Sequence, residues 1–379
     1  MITSQKNFDS LTPFHLIIQS NSPGELARWT FPFVQTFKQA CPHSKIAIFL
    51  TPCQYASGRE AEFARNIPGV DVVLSPSETL RHLWREPRLL SSRDGAVMYL
   101  GGDPLYSLFL SLKYKYPSYA YTEHRHSPGF FFKKVFYKHQ DGDLMAAGIS
   151  HMPHNREDLL RKYDLPNRDY LLFFCGSRPA HFQALFPFIL DVIETLHTHH
   201  IPMVPLIGLS PFITKEDVNK AARNRKTNQP PCFIRHGNSL DLLSLSSFLV
   251  TLPGTATAEA MYLHVPMLVL VPLNRPDLIL FDGLLGVIGQ IPALGTALKR
   301  TAITFLRGKK RFYSHPNRLL QRDAVPEVIE NVTVESVSKK IMDYGMDSIN
   351  RDSIRQSLTK IIPNDAIAYQ ICSYILSRP

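Results

Sequence analysis

The stretch FLVTLPGTATAEAMYLHVPMLVL, residues 248–270, shows most clearly how strands and helices alternate in this chain. It reads as an apolar strand, a tight loop with proline and glycine, a short helix that carries Glu259, and a second apolar strand. A corner between a strand and a helix presents free backbone N–H groups at the positive end of the helix, which suits an anion such as a phosphate. The alternative is ordinary helix capping, in which Thr255 or Thr257 satisfies the first N–H groups.

The same alternation of short apolar runs and helical patterns extends along the chain. The predicted strands are residues 14–19, 45–50, 70–74, 96–100 and 118–121, followed by a second series at 170–175, 203–207, 232–235, 248–252 and 266–271. Helical patterns lie between them, for example at residues 26–40, 59–66, 180–198 and 239–245. This alternation is typical of βαβ units in a parallel sheet, so we predict an α/β protein with two such domains.

The boundary between the two series is predicted in residues 155–169, a charged stretch that is interrupted by Pro166. A chain of 379 residues is also longer than one typical hydrophobic core. We predict an N-terminal Rossmann-like domain at residues 1–165 and a C-terminal one at 166–350. A final segment, 351–379, is predicted to form a helix that packs back on the N-terminal domain.

Composition and charge narrow the classes of partner. Hydrophobic residues make up 44% of the chain and charged residues 20%, which excludes a disordered protein. The net charge of +10 favours an anionic partner: a phosphorylated substrate, an acidic membrane surface or a nucleic acid. The five cysteines are scattered and no pair has zinc-like or redox-motif spacing, which fits a reducing compartment. We expect a cytoplasmic protein, because the N-terminal sequence lacks the form of a signal peptide and no apolar run approaches roughly 20 residues.

In open α/β sheets, ligands bind at the carboxyl ends of the strands, so the residues that follow each strand are the candidates. After the first strand, Gly24 permits a tight turn or close approach of a ligand. Glu25 stands where a helix begins, and it is either a catalytic residue or an acidic residue that the helix dipole favours. After the fourth strand, a glycine pair that includes Gly102 leads to Asp103. Asp103 is either a helix cap or a general base.

In the second half, the stretch FFCGSRPAHF places Ser177 and Arg178 in a turn before a long helix. An arginine beside a helix N-terminus is repelled by the helix dipole unless an anion is bound there. This turn and the corner at Gly254 therefore predict one site for a nucleotide diphosphate. Glu259, one helical turn further on, is expected to accept hydrogen bonds from the ribose hydroxyls.

Two basic segments mix lysines with aromatic or aliphatic residues, at 128–139 and 294–312. We interpret them as segments that contact an anionic membrane surface, with nucleic-acid binding and ordinary core packing as alternatives. Two histidine-rich stretches, residues 122–129 and 149–155, match no zinc spacing. We therefore expect neither a metal nor a cofactor.

Three stretches of the second half resemble the lipid-A-disaccharide synthase family of glycosyltransferases. PGTATAEAMYLHVPMLV is similar to the family's SGTATLE segment, HPNRLLQRDAVPEVIE to its PN-LL-R-PE segment, and CGSRPAHF to its GSR turn. The three occur in the family's order, and GGDPLY lies where the family carries a loop with an essential Asp. The N-terminal half is less similar.

The resemblance implies a GT-B fold, in which two Rossmann-like domains with parallel sheets face each other, the first binding the acceptor and the second the donor. It implies inverting transfer of an acylated glucosamine from a UDP donor to a lipid monosaccharide phosphate, as in lipid A biosynthesis, by a peripheral protein of the inner membrane. By this resemblance Asp103 is the candidate base, Arg178 and Asn317 contact the donor or its phosphates, and Glu259 contacts the ribose. A UDP-activated acylated sugar, a lipid acceptor and the inner-membrane surface are the expected partners, with a homodimer as a further possibility and no nucleic acid.

The first loop departs from the family pattern. The family reads GE-SGD, whereas this chain reads PGELARW, which keeps Gly24 and Glu25 but lacks the Ser-Gly-Asp that follows. Since this loop faces the acceptor in the family, a divergent relative with another lipid acceptor is an alternative. A UDP-sugar epimerase or hydrolase and a non-catalytic nucleotide-sugar or lipid-binding protein are the other classes that the sequence leaves open.

Overall fold

The computed structural model describes residues 13–53, 58–89, 92, 94–123, 129–150, 155–176, 179–223, 230–275, 312–361 and 366–377. The chain divides into two compact units. Unit 1 comprises Met1–Met152 with Pro363–Pro379, and unit 2 comprises Pro153–Ile362.

Unit 1 is built on a six-stranded parallel sheet with the strand order β3-β2-β1-β4-β5-β6. Its strands are β1 (His15–Ser20), β2 (Lys45–Leu50), β3 (Val72–Leu74), β4 (Gly95–Tyr99), β5 (Ser118–Thr122) and β6 (Lys134–Tyr137). Its helices are α1 (Pro23–Glu25), α2 (Phe31–Ala40), α3 (Glu60–Arg65), α4 (Pro76–Arg85), α5 (Pro104–Tyr114), α6 (Lys138–Asp141) and α7 (Leu144–Ser150). A π-helical segment, Leu26–Thr30, joins α1 to α2.

Unit 2 is built on a second six-stranded parallel sheet, with the order β12-β11-β10-β7-β8-β9. Its strands are β7 (Tyr170–Phe174), β8 (Val204–Leu209), β9 (Phe233–His236), β10 (Ser246–Thr251), β11 (Met267–Pro272) and β12 (Glu327–Glu330). The described helices are α8 (Arg156–Lys162), α9 (Pro179–Thr198), α10 (Lys215–Arg223), α11 (Ser239–Leu245), α12 (Thr255–Tyr262), α13 (His315–Leu320), α14 (Val334–Ile341) and α15 (Ser348–Thr359). The last helix of the chain, α16 (Ile367–Ser377), belongs to unit 1.

The two sheets have the same strand order when each is numbered from its own first strand. In each sheet the order reverses beside the first strand, between β1 and β4 in unit 1 and between β7 and β10 in unit 2. Loops that leave the carboxyl ends of such neighbouring strands diverge and open a crevice, which is where doubly wound folds bind ligands. The fold therefore assigns one candidate site to each unit.

Apolar side chains on both faces of each sheet form the cores. The inner strands of each sheet are buried along most of their length, as in KIAIFL of β2 and MLVLVP of β11, because helices cover both faces of a parallel sheet. In unit 1, α16 buries Ile367, Ile371 and Ile375 in the same core as Phe33 and Phe37 of α2.

The unit boundaries differ from the predicted boundaries at residues 165 and 350. The first falls before α8, because Leu159 and Leu160 of that helix pack in the unit 2 core. The second falls after α15, whose Ile354 and Leu358 pack in the same core. Only the segment from Pro363 onward returns to unit 1.

Two edge strands, β6 and β12, were missed by the sequence patterns. Strand β6 lies in the basic aromatic segment at 128–139 that we interpreted as a membrane contact. Phe132 and Phe136 of this segment are buried, and Lys138 is buried with its Nζ atom 2.6 Å from Oε1 of Glu123. This part of the segment is therefore packed into unit 1, while Phe130 is 87% exposed. Most of the second basic segment, 294–312, lies outside the described residues.

Candidate functional sites

The candidate site of unit 1 begins where β1 ends and α1 begins. Ser22 caps α1 and forms a capping box with Glu25: the Glu25 amide donates to Ser22 Oγ, and the Ser22 amide donates to Glu25 Oε2, each at 3.2 Å. The π-helical segment follows directly, and π-helical turns are frequent at functional sites. Gly24 lies inside α1 without a positive φ, so the tight turn predicted at this glycine is not formed.

The Glu25 carboxyl group lies against the loop that follows β4. A Cβ atom on residue 101 would overlap both carboxyl oxygens, so Gly101 makes room for Glu25. Burial in this position raises the pKa of Glu25 from 4.5 to about 7, against the opposing effect of its hydrogen bonds to Ser22. The negative charge of Glu123 raises it further. Glu25 is thus a carboxyl group that changes protonation near neutral pH.

The next glycine of this loop, Gly102, adopts a φ of +90°, which favours glycine. A Cβ atom here would overlap Thr51 Oγ1, which reaches the loop from the end of β2. Gln19, at the end of β1, fixes the loop from the other side. Its Nε2 atom donates to the carbonyl oxygens of Gly101 and Asp103, each at 2.9 Å.

Asp103 is an exposed residue at the N-terminus of α5. Its Oδ1 atom accepts a hydrogen bond of 2.9 Å from the Leu105 amide, which is the helix-capping geometry. The capping interpretation therefore describes what the carboxylate does in this structure, while the base role stays a prediction. Tyr99 lies close enough to both carboxyl groups to be affected by their charges. Burial is the main cause that raises the pKa of Tyr99, and the negative charges of Glu25 and Asp103 raise this pKa further.

At the carboxyl ends of β1 and β2, two buried polar atoms have no hydrogen-bond partner among the described residues: Asn21 Oδ1 and Thr51 Oγ1. Buried polar atoms are nearly always paired, because leaving one unpaired costs about 1–3 kcal/mol. Asn21 also lies near Gly102. A ligand with hydroxyl or amide hydrogens would satisfy both atoms.

The candidate site of unit 2 lies at the corner between β10 and α12. Gly254 caps α12 with a φ of 156°, and no side chain caps the helix. Among the residues that the structure describes, a Cβ atom on residue 254 would meet nothing within 4 Å. Thr255 is exposed at the first turn, and that turn carries no acidic residue. The capping alternative is thus not realised, and the free helix end suits an anion.

Glu259 is buried in α12, where Ser239 Oγ donates to its Oε1 atom at 3.1 Å. Ser239 begins α11, so this contact joins the helices that follow β9 and β10. Thr257 has a structural contact on each side. Its hydroxyl group donates to Gly254 O at 2.8 Å and accepts from the His315 amide at 3.0 Å.

The Asn317 side chain is fully buried and all of its hydrogen-bonding capacity is used within unit 2. Its Oδ1 atom accepts from the Ala324 and Val325 amides at 2.7 and 2.9 Å. Its Nδ2 atom donates to Val325 O and Glu327 Oε1, each at 2.9 Å. An amide side chain forms no more than these four bonds, so the predicted contact of Asn317 with the donor needs correction. Asn317 holds the loop after α13 in place.

Glu327 completes this arrangement. Its Oε1 atom accepts from the Ser314 amide at 2.8 Å and from Ser314 Oγ at 2.6 Å. Glu327 binds Ser314 just before α13, and Asn317 binds Ala324 and Glu327 after it. Thr257 accepts a hydrogen bond from His315, the first residue of α13, and so connects this helix to the corner before α12. Asn317 of the PN pair and Glu327 of the PE pair therefore hold the backbone around the site in place instead of contacting a ligand.

Ser177 and Arg178 lie outside the described residues, so their predicted phosphate contacts stay predictions. Gly176, just before them, has a φ of +91°, which turns the chain at the end of β7. Most of the two histidine-rich stretches is also outside the description. Within the described ranges, no group of three or more His, Cys, Asp or Glu residues could hold a metal ion.

The sequence patterns missed Gln19, Asn21, Thr51, Ser239 and Glu327. Gln19 and Thr51 had a usable signal, since each is a polar residue at the end of an otherwise apolar strand. Ser239 gave no such signal, because its partner Glu259 lies 20 residues further along the chain. Glu327 had a signal in the sequence motif, where it is the glutamate of the PE pair.

No family model matches the sequence. The chain is 24% identical over 210 residues to lipid-A-disaccharide synthase 2 of Legionella pneumophila, which covers 54% of this chain and 47% of that protein. It is 22% identical over 219 residues to the lipid-A-disaccharide synthase of Dechloromonas aromatica, covering 57% and 51%. The chain thus spans about half the length of the curated relatives it matches.

Solved structures show the fold. The UDP-GlcNAc 2-epimerase of Neisseria meningitidis, bound to UDP-GlcNAc, matches with a TM-score of 0.57 at 11% identity, covering 96% of this chain and all of that one. MurG of Acinetobacter baumannii matches with a TM-score of 0.51 at 11% identity and the same coverage. In the described part of this chain, no helix has the length and apolar character needed to cross a membrane. Sequence and fold together support a divergent relative of the lipid-A-disaccharide synthases, built on the α/β fold that GT-B glycosyltransferases share with UDP-sugar epimerases.

Proposed function

We propose that this protein is an inverting glycosyltransferase that moves an acylated glucosamine from a UDP donor to a lipid monosaccharide phosphate or a related lipid acceptor. The observation that carries the proposal is the position of the Glu25 carboxyl group, which lies against Gly101 where the strand order of the unit 1 sheet reverses, and where burial raises its pKa to about 7. A general base works best when its pKa is near the working pH, which favours Glu25 over an ordinary surface carboxylate.

In the proposed reaction, Glu25 takes the proton from an acceptor hydroxyl group as its oxygen attacks the anomeric carbon of the donor sugar. A carbon–oxygen bond forms on one face of that carbon, and the bond to the UDP oxygen breaks on the other. The electron pair leaves with UDP, and the proton stays on Glu25. Asp103 is the second candidate for the base, since it lies at the same end of β4.

Unit 2 provides the groups that would bind the donor. The free N-terminus of α12 would stabilise the diphosphate as its charge grows, with Ser177 and Arg178 as further contacts. Glu259 would accept hydrogen bonds from the ribose, held in place by Ser239. We propose that no metal or cofactor takes part, because backbone amides and an arginine can bind the leaving diphosphate.

The acceptor side of the proposal rests on unit 1. The unpartnered Asn21 and Thr51 oxygens beside Gly102 would receive hydroxyl or amide hydrogens of an acceptor sugar. The lack of Ser-Gly-Asp after Glu25 would change the acceptor rather than the chemistry. Because the acceptor is a lipid, we place the protein at the cytoplasmic face of the inner membrane as a peripheral protein.

The test is to incubate purified protein with UDP-diacylglucosamine and a set of lipid monosaccharide phosphates in detergent. Mass spectrometry should detect an acylated disaccharide phosphate together with one UDP for each product. A reaction without acceptor serves as the control, since the same fold serves UDP-sugar 2-epimerases. Epimerised or hydrolysed donor in that control, with no disaccharide in any reaction, would replace the transferase by an epimerase or hydrolase.

A further inference from the structure

The outer face of α5 is apolar, which is unusual for a helix on the surface of a domain. Its inner face packs Ser107, Leu110 and Tyr114 into unit 1. Its outer face carries three exposed large side chains one helical turn apart: Leu105, Phe109 and Leu112. A helix that packs on a sheet normally turns polar residues outward, so this second apolar face calls for a ligand or partner.

The neighbouring helix extends the same surface. Leu80 and Trp84 lie one turn apart on α4, and both are exposed, Trp84 by 69%. The rings of Trp84 and Phe109 are 5.7 Å apart, so the two helices share one surface. We call Leu80, Trp84, Leu105, Phe109 and Leu112 the Trp84 patch.

Lys113 holds the two helices of the patch together. Its Nζ atom donates to the carbonyl oxygens of His82 and Glu86, each at 2.6 Å, at the C-terminal end of α4. Beneath the patch, Tyr114 and His82 are joined by a hydrogen bond of 2.9 Å. The patch is thus a preformed surface.

The charged residues around the patch are mostly basic. Arg81, Arg85, Arg88 and Lys115 are exposed beside it, against the two acids Glu78 and Glu86. Glu78 is engaged in the capping box of α4, and Glu86 pairs with Arg81 at 2.7 Å. An apolar centre with tryptophan and a basic rim matches the boundary between acyl chains and anionic headgroups.

We propose that the Trp84 patch docks unit 1 onto an anionic lipid bilayer. A second copy of the chain fits the surface less well, because two such basic rims would repel each other in a symmetric pair. Three other exposed large apolar residues, Phe130, Leu319 and Ile349, lie on three different elements.

The position of the patch adds to the proposed function, and this one point depends on that function. Helix α5 starts at Asp103, beside Glu25 and Gly102, and the patch occupies the outer face of the same helix. Since a helix rises about 1.5 Å per residue, the stretch from Leu105 to Leu112 ends only about 10 Å further along. A bilayer on the patch would hold a lipid acceptor next to the candidate base.

Vesicle sedimentation with the full chain tests the proposal. Binding should be strong to phosphatidylcholine vesicles that contain phosphatidylglycerol, weaker to phosphatidylcholine alone, and should fall with salt. Trp84→Asn with Leu112→Asn should lower the partition coefficient at least about tenfold, since two apolar side chains no longer insert. Arg85→Glu should lower it about fivefold or more on anionic vesicles. Leu319→Asn with Ile349→Asn, which removes two exposed apolar residues of unit 2, is the matched control and should bind normally.

Fluorescence gives a second readout that does not depend on variants at the patch. The chain contains two tryptophans, and Trp29 packs edge-on against Tyr121 inside unit 1. In a Trp29→Phe protein, Trp84 is the only tryptophan. Its emission should shift to the blue on anionic vesicles and should be quenched by brominated acyl chains.

Three results would overturn the docking proposal: no vesicle binding, binding that the Trp84 and Leu112 changes leave intact, or no quenching of Trp84. A dimer in sedimentation analysis that the same two changes dissociate, without vesicle binding, would assign the patch to a second copy instead. None of these measurements uses a sugar nucleotide. Vesicle binding without transferase activity would therefore sink only the proposed function, and activity on detergent-dispersed lipids without vesicle binding would sink only the docking surface.

Discussion

Each sheet has one switch point, the place where its strand order reverses. The two switch points have the same strand order, but the turns beside them are packed differently. In unit 1 the turn after β4 is crowded: the Glu25 carboxyl group occupies the space over Gly101, and Thr51 occupies the space over Gly102. In unit 2, no described atom lies within 4 Å of a Cβ on Gly254, so the turn after β10 is less crowded. The first turn holds a carboxyl group in a poorly solvated position, and in the second no described side chain caps the helix.

The proposed function assigns a different kind of chemistry to each of these two turns. Crowding raises the pKa of Glu25, because the protein takes water away from the carboxylate. Openness keeps the helix end of α12 available to an anion from outside. The expected division is proton transfer at unit 1 and phosphate binding at unit 2, and the following changes test it.

The largest effect is expected from Glu25→Gln. Glutamine keeps the capping box with Ser22 and fills the same space, but it accepts no proton. Turnover should fall by roughly 10²–10⁴, while UDP affinity measured by calorimetry should stay within a few fold. A folded variant with near-normal turnover would remove Glu25 from the chemistry and break the division between the two turns.

The pH dependence of stability should report the same crowding. The unfolded carboxyl group loses its proton near pH 4.5 and the folded one near pH 7, so between these values the folded state binds more protons. Stability therefore falls as pH rises through this window, by roughly 3 kcal/mol for this group. Denaturant unfolding at pH 5 and pH 8 should show this loss in the wild type and lack it in Glu25→Gln. Equal slopes in the two proteins would show that Glu25 is well solvated.

In the open turn, Glu259→Ala should weaken UDP binding. Loss of a charge-assisted hydrogen bond costs about 1.5–3 kcal/mol, so calorimetry should find an affinity at least about tenfold lower. Glu259→Gln is the control of equal size, which keeps an oxygen for Ser239 and should lose less. Unchanged affinity in a folded Glu259→Ala protein would take the ribose contact away from this residue.

A methyl group added at the turn after β4 in unit 1 tests the crowding directly. Gly101→Ala forces the Glu25 carboxyl group to move, and overpacking of this kind costs about 1–3 kcal/mol of stability. The altered position should also lower the pKa seen in the pH dependence of turnover, since the carboxyl group becomes better hydrated. A Gly101→Ala protein with wild-type stability and pH profile would show that the turn has more room than the structure indicates.

The smallest effect is expected from Asp103→Asn. Asparagine caps a helix about as well as aspartate, so stability should change by only about a few tenths of a kcal/mol. If Glu25 is the base, turnover should stay within a few fold of the wild type. A loss of roughly 10²–10⁴ would instead make Asp103 the base and leave Glu25 a capping residue.

Sequence patterns predicted most of the fold because parallel strands buried on both faces are continuous apolar runs. They failed at one edge strand of each sheet, β6 and β12. Strand β6 lies in a run of lysines and aromatic residues, and β12 is a four-residue stretch, EVIE, with a glutamate at each end. Edge strands carry polar and charged residues on their open side, so their pattern differs from that of a central strand.

The candidate site was predicted only in part for a related reason. A residue at a strand end was found from its position, as with Gly102, Asp103 and Gly254. The role of each side chain was not predicted, since the hydrogen bonds of Asn317 and Thr257 hold parts of unit 2 together. The role of a side chain depends on partners that the local sequence does not reveal.

The alternation of strands and helices, the two successive sheets and the corners between strands and helices can all be predicted from the sequence, because they follow from local apolar periodicity and turn residues. Only the folded structure shows that the Glu25 carboxyl group lies on Gly101, that no described side chain caps α12 at Gly254, and that Trp84 and Phe109 form one surface. The physical reason is distance along the chain. Solvation, charge and exposure are set by neighbours that come together only when the sheets and their covering helices pack.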